Sequence, residues 1–458
     1  MDTPSKVYSA PALSTAPDEL KRELGLVDCA LMVIGSIIGS GIFLTPGNIA
    51  RTVQSVESMF LVWAAGGVLT FFGALAYAEL GAMFPRSGGI YVFLREAYGP
   101  LTAFLYGWCT FFVMQSGSIA TLAAGFAIYL GYLLPISPGI AKIFAVGVIG
   151  LLTLINCLGV RSGARVQNIL TAIKIGSLVG ISAVLFLMSR GSFQHFSYQP
   201  MPPVSFSWSA LGIAMIAVLW AYEGWHVLTY NAGEVHHPER NLTGGLILGT
   251  LAIIVLYLTV NLAYLYALPF GQISGSRRLA SDAMELAMGP LGGTLIALAI
   301  LISITGAINS NVLGGPRVYF AMARERLFFK RFAYVQPRYV VPTFSIVLQG
   351  VWASLLTLVG TFDRLFSYVI FVSWIFYGLG GIAVLVLRRT RPELERPYKT
   401  WGYPFVPVLF SLAAFLIVLN TVVNDFKNSF WGLVVVFTGL PAYFYWSRRK
   451  ERTAGVNR

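Results

Sequence analysis

Charge is scarce in this 458-residue chain: Asp, Glu, Lys and Arg together make up 11% of it, where an average soluble domain carries roughly 25%. Cysteine is scarce too. The three present, Cys29, Cys109 and Cys157, lie in or at the edge of apolar stretches, which argues against a disulfide framework. Long polar insertions are missing as well. The polar connections 84–100, 190–206, 269–290, 323–341 and 388–402 have room for loops or surface helices, not for a soluble domain. Neither a GxxxxGK[ST] phosphate loop nor GxSxG or HExxH occurs, which argues against an ATP-driven pump and an intramembrane hydrolase or protease. His236 and His237 have no Cys or Asp companions, so no metal site and no cofactor is expected. Residues 1–24 lack the apolar core of a signal peptide and are expected to form a mobile cytoplasmic tail.

What the chain has in abundance is apolar side chains, 56% of the total. Twelve apolar runs recur, at about 27–50, 59–83, 102–133, 139–158, 166–189, 207–231, 245–268, 292–322, 342–361, 364–387, 403–423 and 429–446. Each has about the 20 residues that cross a ~30 Å hydrocarbon core. Lipid leaves open sheet edges unsatisfied, so these runs predict an all-α polytopic membrane protein with 12 transmembrane helices. With the N-terminus inside, 24 of the 32 Lys and Arg fall in tails and cytoplasmic loops, six fall outside (Arg51, Arg190, Arg277, Arg278, Arg364, Lys427), and Lys142 and Lys174 lie within spans. That asymmetry places both termini in the cytoplasm and the protein in a cell membrane. The net charge of +13 then belongs to the membrane surface, with lipid rather than nucleic acid as its partner. One membrane domain of 25–447 is expected, followed by a cytoplasmic tail of 448–458.

Two of the runs are poor helices. The first contains GSIIGSG, Gly35 to Gly41, with three glycines and two serines in seven residues; glycine costs about 1 kcal/mol relative to alanine inside a helix. The sixth contains Trp220-Ala-Tyr-Glu-Gly-Trp-His226, five spans later. Paired interrupted helices in corresponding halves point to an inverted-repeat transporter with a site at the membrane midplane. A break at Gly39, Ser40 and Gly41 frees amides beside Ile42 for a carboxylate, and frees carbonyls around Ile37, Ala221 and Glu223 for an ammonium. Together they make a site for an α-amino acid zwitterion. The alternative is that the small residues only allow close helix packing, and Gly35-x-x-x-Gly39 fits that pattern.

Beyond Lys142, the candidate ionisable residues within or beside the spans are Glu79, Lys174, Glu223 and Glu234, with His226 close by. Each should face the interior or a cavity. Lys174 lies mid-span in QNILTAIKIGSLVG. It is either a fixed cation holding the ends of the broken helices or a structural pair with Glu79 or a carbonyl. Glu223 would face substrate, carry a proton or cap the half-helix starting at Gly224. Glu79, closing the second span, reads as an interfacial structural residue. Trp220 is a candidate gate because it aligns with the break.

Five stretches in order carry a family resemblance: GSIIGSGIF (35–43), YAELGAMFPRSGGIYVFLREAYGPLTAFLYGW (77–108), RVQNILTAIKIG (165–176), WAYEGWHVLTYNAGEVHHPERNL (220–242) and TRPELERPYK (390–399). Over about residues 22–447 the chain resembles the amino acid–polyamine–organocation superfamily, in its L-type amino acid transporter branch. The resemblance implies a five-plus-five inverted repeat of the leucine-transporter type, with helices 1 and 6 discontinuous. The repeats would cover about 25–190 and 205–389, with extra helices at about 401–447. It implies sodium-independent amino acid exchange by alternating access. Carboxylate binding would fall on Ser40 and Gly41, with Gly39 adjacent and Ile37 supplying a carbonyl. Trp220 would gate, Lys174 would occupy the family's vacated sodium site, and Val113, Met114, Phe371 and Trp374 would form the side-chain pocket. Two departures stand out: Glu223 where many members have a small residue, and His226 where an Asn is frequent. The loop LLPISPG (133–139) lacks the cysteine that bonds a heavy subunit in mammalian light chains, so no disulfide-linked partner is expected. Proton-coupled uptake and a non-transporting amino acid sensor are the alternatives.

Overall fold

The computed structural model describes residues 22–197 and 207–455. Among them, nine helices are long and apolar enough to cross a membrane, and the pair Leu26–Ile37 and Gly41–Val53, bent by 44° at its break, makes a tenth. The two remaining apolar runs form shorter helices of 14 and 17 residues, Trp208–Ala221 and Thr343–Val359. The protein is a polytopic helical membrane protein. Its outer face carries large exposed apolar side chains such as Leu154, Val255 and Leu416, as lipid contact requires.

The broken helix sits at the centre. Leu26–Ile37 packs against Pro238–Ala267 and Val160–Met188, and Gly41–Val53 packs against Trp208–Ala221. Residues 32 to 37 are all buried, so no polar face marks this helix as a surface element.

Two connections expected to be loops or surface helices are helical and alike. Ile90–Tyr98 ends at Gly99 (φ +91), and Pro100 starts the next span. Leu279–Met288 ends at Gly289 (φ +70), and Pro290 starts the next span. In each, glycine supplies the positive φ that stops one helix, and proline takes the first position of the next, where its missing N–H is not needed. The letters agree too: Ala97-Tyr-Gly-Pro-Leu101 and Ala287-Met-Gly-Pro-Leu291.

Both ends of the described chain are tied into the fold. Residues 1–21 of the tail lie outside the described residues, but the amides of Glu23 and Leu24 donate to the Glu234 carbonyl (2.8 and 3.0 Å), and Leu24 accepts from the His236 amide (2.9 Å). The last helix, Phe426–Gly455, continues through most of the stretch expected to be the C-terminal tail.

Candidate functional site at the helix breaks

The first half-helix ends at Ile37, and Ile38 turns to an extended conformation (ψ 93°) before the second half-helix starts at Gly41. The amides of Phe43 and Leu44 bond back to the Ser40 carbonyl, at 3.2 and 3.1 Å. Those of Gly39, Ser40, Gly41 and Ile42 have no acceptor among the described residues. These are the donors that a helix start leaves open, with the positive end of the helix dipole behind them.

A second break faces the first. Trp208–Ala221 stops, Tyr222 to His226 form a turn, and Val227–Tyr230 adds one further helical turn. The backbones touch. A Cβ on Gly41 would lie 2.5 Å from the Ala221 Cα, and one on Gly224 would lie 2.7 Å from the Ser36 carbonyl oxygen. Gly224 also has φ +110, so glycine is required there twice over.

Buried donors take up the exposed carbonyls. Lys174 Nζ, fully buried, donates to Gly35 O and Ile38 O, both at 2.6 Å. The Ser303 hydroxyl adds a longer bond to Ile38 O at 3.4 Å. The Tyr257 hydroxyl lies within reach of two carbonyls, Ile37 O at 3.1 Å and Ala221 O at 3.2 Å, and so links the two breaks. Glu79 does not serve Lys174. Its carboxylate accepts from Arg388 Nε and Nη2 (2.9 and 2.8 Å) and from the Thr400 amide (2.6 Å).

Between the breaks lies a cavity of about 20 Å³, lined by Ser36, Ile37, Gly39, Ser40, Gly41, Ser118, Leu122, Trp220, Glu223, Gly224 and Asn311. That is room for roughly one water, so nothing larger enters unless a wall moves. Glu223 Oε1 accepts from the Tyr377 hydroxyl at 2.6 Å, while Glu223 Oε2, Ser40 Oγ and Trp220 Nε1 are buried without a partner among the described residues. The His226 ring nitrogens lie 3.0 and 3.1 Å from the same Tyr377 hydroxyl, and Nδ1 lies 3.7 Å from Glu223 Oε1. Trp220 packs edge-on to Phe362 and tilted against Phe366, with centroids 6.3 and 6.0 Å away.

The expected residues therefore separate. Ile37, Gly39, Ser40, Gly41, Trp220 and Glu223 share the cavity. Ala221 abuts Gly41, and His226 stands behind Glu223 through Tyr377. Val113, Met114, Phe371 and Trp374 do not line it. Val113 faces a separate cleft beside Trp108 and Trp431, Phe371 packs on Gly432, and Trp374 packs on Tyr377 and Phe410. Met114 is buried, with the Thr110 hydroxyl 3.8 Å from its Sδ. Sequence reasoning missed Tyr257, Ser303 and Tyr377, and the cavity walls Ser36, Ser118, Leu122 and Asn311.

Comparison with known proteins places the whole arrangement within a family. The amino acid permease family model matches residues 24–440. The serine/threonine exchanger SteT of Bacillus subtilis is 32% identical over 442 residues, covering 96% of this chain and all of the relative. The human b(0,+)-type amino acid transporter 1 is 32% identical across 93% of this chain and 88% of its own. The human large neutral amino acids transporter small subunit 2 is 30% identical across 94% and 82%. With a match over nearly its whole membrane domain, the chain belongs to the amino acid permease family, whose members are membrane transporters rather than enzymes.

Proposed function

We propose that the chain is a sodium-independent L-amino acid exchanger working by alternating access. It takes one substrate zwitterion at a time between the two helix breaks. The carboxylate binds the open amides of Gly39 to Ile42, and the ammonium binds the carbonyls of Ile37 and Ala221. The observation that carries this reading is Lys174 on Gly35 O and Ile38 O: a buried ammonium already stands where a metal cation would otherwise hold these carbonyls together. Exchange draws further support from the relatives, of which SteT is named for it. The reading includes 12 spans in a five-plus-five inverted repeat, with both termini in the cytoplasm of a cell-membrane protein. The recurrence at Gly99–Pro100 and Gly289–Pro290 favours the repeat. Trp220 acts as the gate, and no disulfide-linked subunit is needed, since Cys29 and Cys109 are buried and Cys157 is partly so.

The test is uptake of labelled amino acid into proteoliposomes. Exchange requires unlabelled amino acid inside and no sodium or pH gradient. Flux that survives an empty interior and collapses without a pH gradient sinks it in favour of proton-coupled uptake. That second reading rests on Glu223, whose Oε2 has no partner among the described residues and lies beside the Tyr377–His226 pair. Binding without flux in either condition leaves an amino acid sensor.

A further inference from the structure

An aromatic cleft with a basic rim lies apart from the breaks. It measures about 580 Å³, and its walls include Phe111, Phe328, Phe332, Phe344, Leu348 and Trp446. The rings are packed as a basket: Phe328 to Phe332 at 4.7 Å, Phe332 to Phe344 at 5.0 Å and Phe328 to Trp446 at 5.5 Å. Beyond Trp108 and Phe112, which wall both spaces, a second apolar cleft of about 350 Å³ continues the surface.

The rim owes its charge to local geometry. Lys330 and Arg331 open the 3-10 turn Lys330–Ala333, with Phe329 just before it and Phe332 within it. Residues three apart eclipse in such a turn, so Phe329 and Phe332 stack at 6.3 Å on one side while both cations stay exposed. Neither cation has a carboxylate partner among the described residues. The acid close in sequence, Glu325, is held by Arg95 at 2.6 Å and by the Tyr91 hydroxyl at 2.9 Å. Arg448 and Arg449, also exposed, come two and three residues after Trp446 in the same helix.

From this juxtaposition we propose a binding site for one anionic phospholipid, its acyl chain in the aromatic cleft and its phosphate on Lys330 and Arg331. An apolar slot and paired cations on one rim match the two ends of such a lipid, and aromatic side chains sit naturally at the headgroup level. A zwitterionic lipid fills the slot equally well but gains less from the rim.

The test uses the full-length protein, stripped of lipid in detergent and offered equimolar phosphatidylglycerol and phosphatidylcholine with the same acyl chains. Native mass spectrometry reads which lipid stays bound. The wild type retains phosphatidylglycerol over phosphatidylcholine by about tenfold or more, as two surface cations imply. Lys330→Gln with Arg331→Gln brings the ratio close to one without changing phosphatidylcholine retention; both residues are exposed, so folding is not at issue. Leu348→Trp, which fills the slot, lowers retention of both lipids. Glycerol 1-phosphate leaves the bound lipid in place. The proposal is overturned by an even ratio in the wild type, by an unchanged ratio in the double variant, or by full retention in Leu348→Trp. It is equally overturned by displacement of the lipid with glycerol 1-phosphate, which identifies a site for free phosphate.

Discussion

Lys174 Nζ stands 2.6 Å from the carbonyl oxygen of Ile38, the residue at which the first membrane helix stops being helical. The same ammonium reaches Gly35 O one turn earlier, so a single buried cation closes the end of a half-helix that would otherwise leave its carbonyls unsatisfied in an apolar interior. Lys174→Met removes it. Gly35 O is then orphaned, at about 1–3 kcal/mol, Ile38 O keeps only the long Ser303 bond, and flux in proteoliposomes falls by at least about tenfold. The variant remains folded, with a lowered thermal midpoint. Near-wild-type flux would remove Lys174 from the mechanism.

Gly41→Ala places a methyl 2.5 Å from the Ala221 Cα, and Gly224→Ala places one 2.7 Å from Ser36 O. Neither neighbour is a flexible side chain. Overpacking of this kind costs about 1–3 kcal/mol, and Gly224→Ala adds the strain of its positive φ. Both variants should bind amino acid about tenfold or more weakly by calorimetry. Gly131→Ala, with open space around its Cβ, is the control and should be silent.

Ser40→Leu tests the carboxylate end. Ser40 lines the cavity at the start of the second half-helix. A leucine there blocks every substrate, whatever its side chain. Selective loss across a competition panel contradicts the placement.

Glu223→Gln removes the charge on the cavity wall and keeps the shape. Competition by cationic against neutral amino acids should shift by about tenfold. Tyr377→Phe, which frees Glu223 Oε1, should shift it in the same sense by less. An unchanged profile in both variants reduces Glu223 to a cap on the turn at Gly224.

Arg317 and Glu234 form a fully buried pair, with Arg317 Nε and Nη2 at 3.1 and 3.0 Å from Glu234 Oε1. Removing one partner leaves an uncompensated buried charge, at about 3–5 kcal/mol. Arg317→Met alone should lower the thermal midpoint more than Arg317→Met combined with Glu234→Leu. The reverse order shows that the pair is dispensable singly.

Parts of the site were legible because the sequence breaks a rule there. Glycines in a span and a lysine at its middle are costly unless something uses them, and both lead to the site. The partner of Lys174 was not legible, since carbonyls freed by a break and a distant Glu79 look alike until the helices are packed. Side-chain direction was harder still. Val113 and Met114, named only by resemblance, lie in the five-residue π turn Thr110–Met114, where the extra residue per turn changes the direction a side chain takes from its place in the sequence. Tyr257 did leave a signal, as the most interior of three tyrosines in the apolar Pro238–Ala267 helix, where a buried hydroxyl needs a partner. The matched AYGPL and AMGPL letters were also present; they are short enough to be passed over until both prove to be the same helix–glycine–proline joint.

Tyr257 has one phenolic proton and two carbonyls within reach, one from each broken helix. At any instant one of the two is left waiting. A primary ammonium brings three N–H bonds and can serve the waiting oxygen while the phenol keeps the other. Each N-methyl group on the substrate takes one of those bonds away. If the ammonium binds as proposed, the pocket counts protons on nitrogen, and alanine, N-methylalanine and N,N-dimethylalanine should be accepted in descending order although all three carry the same positive charge.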